Sequence, residues 1–204
     1  MSELIPGIDV SSYQENIDWD KVRDEGKIKF AIVKAVDDIY EDRYFKKNQI
    51  GARRTMERVG YYHFLTPRGD IIKQAKRFLD VVGNLQSNEF LVLDIERKRS
   101  AGLYPEEVQN AVSIWFDFVD RESGRLSWYY TSIGFAKMYN IQKVAANHPL
   151  WILSYTNKPK QPPGWDKWFI WQYTDIGNVP GIKGKKYLNW ADSNWYGHKF
   201  EIRF

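Results

Sequence analysis

The chain has no cysteine. Disulfides, thiolate nucleophiles and zinc–thiolate sites are therefore excluded, and the absence says nothing of compartment. Histidine is almost as scarce, at 3 residues, and His148 and His198 lack acidic or histidine partners at ligand spacing, so neither a metal site nor a cofactor is expected. No apolar run approaches the ~20 residues that a membrane-spanning helix needs, so membrane insertion is not expected. The opening Met1-Ser2-Glu3-Leu4-Ile5-Pro6 has neither a basic stretch nor a long apolar one, so no secretory signal is expected. There is no Gly-rich phosphate loop and no Gly-x-Ser-x-Gly elbow, which argues against nucleotide and serine-hydrolase chemistry. Repeats, low-complexity tracts and linkers are also missing, and residues 1–204 read as one domain.

What is present is a large apolar fraction, 43%, and 16% aromatics with 9 Trp, more than a core of this size usually requires. Tryptophan faces stack on flat apolar surfaces such as those of sugar rings, so the surplus points to a lined groove. The net charge of +4 suits an anionic polymer, whether nucleic acid, membrane surface or acidic cell wall. Nucleic acid is not expected, because no binding motif occurs and acids at the strand ends would repel phosphate.

Those acids follow a pattern. Residues 4–10 form a short apolar strand carrying Asp9, and Asp18 caps a helix closed by Gly26. Residues 28–34, rich in β-branched side chains, run into Asp37-Asp38. A helix is expected over 45–59 and ended by Gly60, then a strand over 61–65 and a helix over 70–85. The centre of the chain is Phe90-Leu91-Val92-Leu93-Asp94-Ile95-Glu96, an apolar strand ending in two carboxylates on the face of Phe90 and Val92. Their Cα atoms stand about 6.6 Å apart. Carboxylates on that scale can divide acid and base roles around a glycosidic oxygen. Pro105 opens the next helix, followed by a strand over 126–131 and a helix over 132–140. After that, residues 150–155, 168–173 and 198–204 read as strands joined by Pro/Gly-rich loops. Eight strands with helices after the first five predict an α/β barrel whose strand ends gather the acids at one mouth. His63, between aromatics on its strand, reads as a hydrogen-bonded core or wall residue.

Seven blocks then occur in a recognisable order: Gly7-Ile8-Asp9-Val10-Ser11, Phe30-Ala31-Ile32-Val33-Lys34-Ala35, Gly60-Tyr61-Tyr62-His63-Phe64, Leu93-Asp94-Ile95-Glu96, Pro149-Leu150-Trp151-Ile152, Trp171-Gln172-Tyr173-Thr174 and Val179-Pro180-Gly181-Ile182. In these the chain resembles family 25 of the glycoside hydrolases, the Chalaropsis-type lysozymes, over about residues 5 to 197. The resemblance implies a modified TIM-like (β/α) barrel, five βα units followed by strands lacking helices. It implies an N-acetylmuramidase, cutting the β-1,4 bond between N-acetylmuramic acid and N-acetylglucosamine in bacterial peptidoglycan, working as a monomer without cofactor. Glu96 matches the general acid and Asp94 its partner, which either steers the substrate's acetamido group or acts more directly. Asp9 matches the first acid of the cleft.

Tyr62, Tyr130, Trp151 and Gln172 match groove positions, with Trp171 and Asn194 counted beside them. The family's last acid belongs to an Asp-x-Asn-x-aromatic segment, which Asp192-Ser193-Asn194-Trp195-Tyr196 fits, making Asp192 the fourth catalytic candidate. A competing alignment on Tyr187-Leu188-Asn189 removes that acid. Val36-Asp37-Asp38 stands where the family has Thr-Glu-Gly, leaving Asp37 as a shorter substrate-positioning acid. The alternative from another class is a catalytically silent glycan-binding module that keeps the groove. A muramidase with no export signal and no separate wall-binding module fits a phage-type endolysin, made in a host cytoplasm and acting on the wall after release, or a protein exported by a non-classical route.

Overall fold

The computed structural model describes residues 3–197, so the strand expected over 198–204 lies outside the described residues. One sheet contains β1 (Leu4–Val10), β2 (Phe30–Asp37), β3 (Tyr40–Glu41), β4 (Arg58–Phe64), β5 (Glu89–Asp94), β6 (Trp128–Ser132), β7 (Leu150–Leu153), β8 (Ile170–Thr174) and β9 (Tyr187–Asp192). β1 pairs with β2 on one side and β9 on the other, which closes eight strands into a barrel and leaves β3 paired to β2 alone. Neighbours from β1 round to β8 run parallel, while β9 is antiparallel to both β8 and β1.

The helices are α1 (Trp19–Asp24), α2 (Phe45–Thr55), α3 (Ile71–Val82), α4 (Arg97–Ser100), α5 (Pro105–Ser123), α6 (Ile133–Tyr139) and α7 (Gln142–Ala145). Five barrel strands are followed by helices, and β7 and β8 are followed by loops, as the sequence predicts. Local signals set the helix ends. Asp18 accepts from the Lys21 amide and Asp70 from the Lys73 amide, each satisfying a donor of the first turn. Pro105 occupies the first turn of α5, and Gly124 ends it in the left-handed region at φ 66°.

Two boundaries differ from expectation. α2 stops at Thr55 because Arg58–Phe64 is already strand, so Gly60 is not a helix stop. A Cβ at Gly60 would lie 2.6 Å from Phe90 Cζ, and one at Gly7 would lie 2.1 Å from Phe30 Cζ. Bare backbone at both positions lets the two rings lie across the barrel. The second difference is that the closing strand is Tyr187–Asp192. Its apolar side chains are interrupted by Asn189 and Asp192, so it lacks the continuous run that marks the other strands.

Strand alternation sorts side chains into two layers. Outward positions such as Val33, Leu91 and Leu93 pack against Phe78, Val112 and Trp115 of the helices. Inward positions meet inside the barrel, where Phe30, Phe90, Trp128 and Trp195 form mutual ring contacts with centroids 4.8 to 5.4 Å apart. Each such side chain contributes roughly 1.5–3 kcal/mol by leaving water. This aromatic plug fills the barrel's amino-terminal half and leaves the carboxyl ends of the parallel strands open.

Candidate active site

At those carboxyl ends lies a cavity of about 560 Å³. Its walls include Asp9 of β1, Lys34 and Asp37 of β2, Tyr62 of β4, Asp94 of β5, Tyr130 of β6, Trp151 of β7, Gln172 of β8 and Tyr187 of β9. The same two-residue period that sends Phe30 and Ile32 inward below sends Lys34 inward above, and does likewise for Phe90, Val92 and Asp94. β5 ends at Asp94, but the backbone stays extended at Glu96 (φ −125°, ψ 161°), so Ile95 turns into the outer core and Glu96 returns to the cavity. The strand's alternation thus outlasts its hydrogen-bonded ladder by two residues.

Asp9 is buried and well supported. Its Oδ2 accepts from Gln172 Nε2 and Asn189 Nδ2, both at 2.8 Å. Gln172 is in turn oriented by Tyr130 and Tyr155, whose hydroxyls donate to its Oε1 at 3.0 and 3.2 Å, and Asn189 by Trp151 Nε1 at 2.8 Å. Burial nonetheless lifts the Asp9 carboxyl from 3.8 to about 6, the amide donors and Lys34 offsetting part of the effect.

Asp94 is the contrasting acid. It is 7% exposed, and its buried Oδ1 accepts no hydrogen bond from any described residue. Burial first, and the charge of Glu96 second, hold its carboxyl well above the usual range. Glu96 is half-buried and is also raised by burial, with Lys34 and Lys98 pulling it back. Lys34 therefore faces all three acids. Its stem passes the rings of Phe64 and Tyr62, with Nζ 5.1 and 5.6 Å from their centroids, and its side chain is 12% exposed. Asp37 reaches the rim, where it pairs with Arg99 and stands 3.7 Å from Lys34 Nζ. Arg99 also donates to Thr66 Oγ1 at 3.2 Å and lies over Phe64.

The structure thus brings together Glu96, Asp94, Asp9, Tyr62, Asp37, Tyr130, Trp151 and Gln172. Three expected site residues stand elsewhere. Asp192 pairs across the sheet with Leu4, whereas Tyr187 pairs with Asp9. Because β9 is antiparallel, its carboxyl end lies at the barrel's opposite end, and Asp192 cannot be the fourth acid of this cleft. Asn194 follows it there, its amide bonded to Asp192 Oδ1 at 2.9 Å. Trp171 points outward on β8, donating to the Ser154 carbonyl and packing beside Trp168. The place at Asp9 is filled by Asn189, the residue of the competing alignment.

Lys34, Tyr155 and Arg99 are missed by the sequence reading, and Asn189 appears there only in the competing alignment. For Lys34 a signal existed, since a lone cation in an otherwise apolar strand, in phase with Phe30 and Ile32, must face the barrel interior. His63 is a hydrogen-bonded core residue packed between Phe78 and Trp115: Trp115 Nε1 donates to its Nδ1 at 2.8 Å, its Nε2 meets the Asp38 carbonyl at 2.9 Å, and burial lowers it to about 4.

The likenesses to known proteins agree with this arrangement. The sequence model of glycosyl hydrolases family 25 matches residues 8–182. The uncharacterized protein YegX of Escherichia coli K12 is 33% identical over 188 residues, covering 90% of this chain and 68% of that protein. Lysozyme M1 of Streptomyces globisporus is 30% identical over 197 residues, covering 88% and 65%. The crystal structure of the bacterial lysozyme from Streptomyces coelicolor superimposes with a TM-score of 0.85 at 27% identity, over 93% of this chain and 92% of that one. With its acids gathered at the mouth of such a barrel, the chain belongs to family 25 of the glycosyl hydrolases, the lysozyme family, and is a glycoside hydrolase.

Proposed function

We propose that the enzyme is an N-acetylmuramidase, cutting the β-1,4 bond between N-acetylmuramic acid and N-acetylglucosamine in peptidoglycan, with Glu96 as general acid and Asp94 as its partner. The observation that carries the reading is the pairing of two acids of different burial on one edge of an aromatic-walled cavity. The two carboxyls titrate as a pair and hold a proton between them, because burial and mutual repulsion oppose a second charge. A glycan laid on Tyr62, Tyr130 and Trp151 places its acetamido N–H against the unpartnered Asp94 Oδ1. That hydrogen bond favours the Asp94 carboxylate and leaves the proton on Glu96, which donates it to the bridging oxygen as oxocarbenium character develops. Asp94 meanwhile orients the acetamido carbonyl, whose oxygen closes on the anomeric carbon as the glycosidic bond breaks. Water deprotonated by the Glu96 carboxylate then opens that intermediate, leaving a hydroxyl on the anomeric carbon and the proton back on Glu96. Asp9, fixed by two amides, adds negative charge below the sugar and offsets the developing positive charge.

Mass spectrometry of peptidoglycan digests tests the assignment. A muramic acid at the new reducing end is expected, and a glucosamine there would overturn it. The wall of a bacterium is the site of action, reached after release from the cell that makes the enzyme.

A further inference from the structure

Beyond Glu96, on the side away from Asp9, lies a second hollow of about 300 Å³. Its walls are mainly the apolar Ile95, Phe135, Met138 and Leu153, with Thr131 and Ser132 beside them, and a Cβ built on Gly134 would meet nothing within 4 Å. Glu96 and Tyr130 border both this hollow and the catalytic cavity, so a chain crossing Glu96 enters one from the other. Arg97 stands at the rim, exposed, and its side chain makes neither an ion pair nor a hydrogen bond with another described residue. The turn that carries it is nevertheless fixed. Arg99 is held by Asp37 and Thr66, and the Ser100 carbonyl accepts from Tyr139 Oη at 2.9 Å. Tyr139 belongs to α6, the helix that supplies Gly134, Phe135 and Met138 to the opposite wall. The hollow is therefore a built feature, apolar inside with one uncommitted guanidinium at its edge.

We propose that this hollow binds the peptide substituent of a muramoyl residue on the leaving-group side of the scissile bond. The inference rests on the muramidase reading and adds a specificity determinant to it. A muramoyl peptide begins with lactyl and alanyl methyl groups and carries a carboxylate soon after. The methyls match the apolar floor, and the carboxylate matches Arg97, which can take it in a two-pronged, charge-assisted contact. Charge directs the same choice. The catalytic cavity sets four acids, Asp9, Asp37, Asp94 and Glu96, against Lys34, Lys98 and Arg99, of which Lys34 and Arg99 already face carboxylates, whereas Arg97 at the rim of the hollow has no charged partner among the described residues.

The test compares initial rates of reducing-end release on two substrates of one glycan: soluble peptidoglycan fragments, and the same fragments stripped of peptide by an amidase. The wild-type enzyme is expected to favour the peptide-bearing form in kcat/KM by about tenfold, the effect of one charge-assisted contact. Arg97→Glu and Gly134→Leu should each bring that ratio close to one. Arg97 is on the surface and Gly134 faces open space, so both variants should melt with the wild type. A wild-type ratio near one, or a wild-type ratio retained in both variants, overturns the proposal. New reducing ends from neither substrate would overturn the muramidase reading itself, and this inference with it.

Discussion

The two halves of the barrel interior share one backbone rule and hold opposite chemistry. In the amino-terminal half, inward positions carry Phe30, Phe90 and Trp128, and glycines where rings need room. Four residues further along β2 and β5, the inward positions carry Lys34 and Asp94, and Glu96 follows two residues beyond the end of β5. The lower half is close-packed and dry, and stability is its product. The upper half confines like charges that would separate in water, and shifted proton affinities are its product. The apolar plug is thus part of the site's chemistry, because it keeps water from reaching the acids from below.

Substitutions can separate the two halves. Glu96→Gln should show the largest change, a loss of about 10²–10⁴ in turbidity-clearing rate with an unchanged melting curve, since a general acid contributes on that scale. Clearing at near wild-type rate by the folded variant would remove Glu96 from its role. Phe30→Ala should do the reverse, costing about 3–5 kcal/mol in denaturant unfolding through transfer and cavity terms. The activity of the fraction still folded should keep its pH profile if the plug acts only through exclusion of water.

Asp9→Asn sharpens the comparison further. Asp9 rises from 3.8 to about 6 on folding, so between those values the native state binds more protons than the unfolded chain, and stability falls as pH rises. Removing the carboxyl should therefore leave stability unchanged below pH 3.8 and raise it above pH 6, by on the order of 2–3 kcal/mol. Thermal melts from pH 3.5 to 7.5 would show this, and a variant less stable at pH 7 would refute it. The smallest effect is expected for Lys34→Met. Lys34 lowers the proton affinity of Asp9, Asp94 and Glu96 alike, so its loss should carry the alkaline limb of the pH–rate profile upward.

Most of this plan was legible in the chain. Apolar runs ending in acids located β1, β2 and β5, and strand–helix rhythm gave the five-unit barrel, because both depend on short-range alternation. β9 was not legible, since its inward residues are Tyr187, Asn189 and Ala191 and it carries no apolar run. The misplaced Asp192 follows from the same gap. A motif fixes neighbours in sequence, but strand direction decides which end of the barrel they reach. Trp171 failed by one residue of phase: adjacent Gln172 faces in, so it must face out.

The closing strand also completes the support of the first acid. Asp9 is tied to Gln172 and Asn189 across 163 and 180 residues of chain, contacts among the most distant that the molecule makes. Such pairings carry the greatest loop-closure cost. Until β9 inserts, β1 and β8 are open sheet edges and Asp9 lacks one of its two amide donors. Asp9 therefore has both amide donors only in the closed ring, so the last stave joins the integrity of the barrel to that of the site.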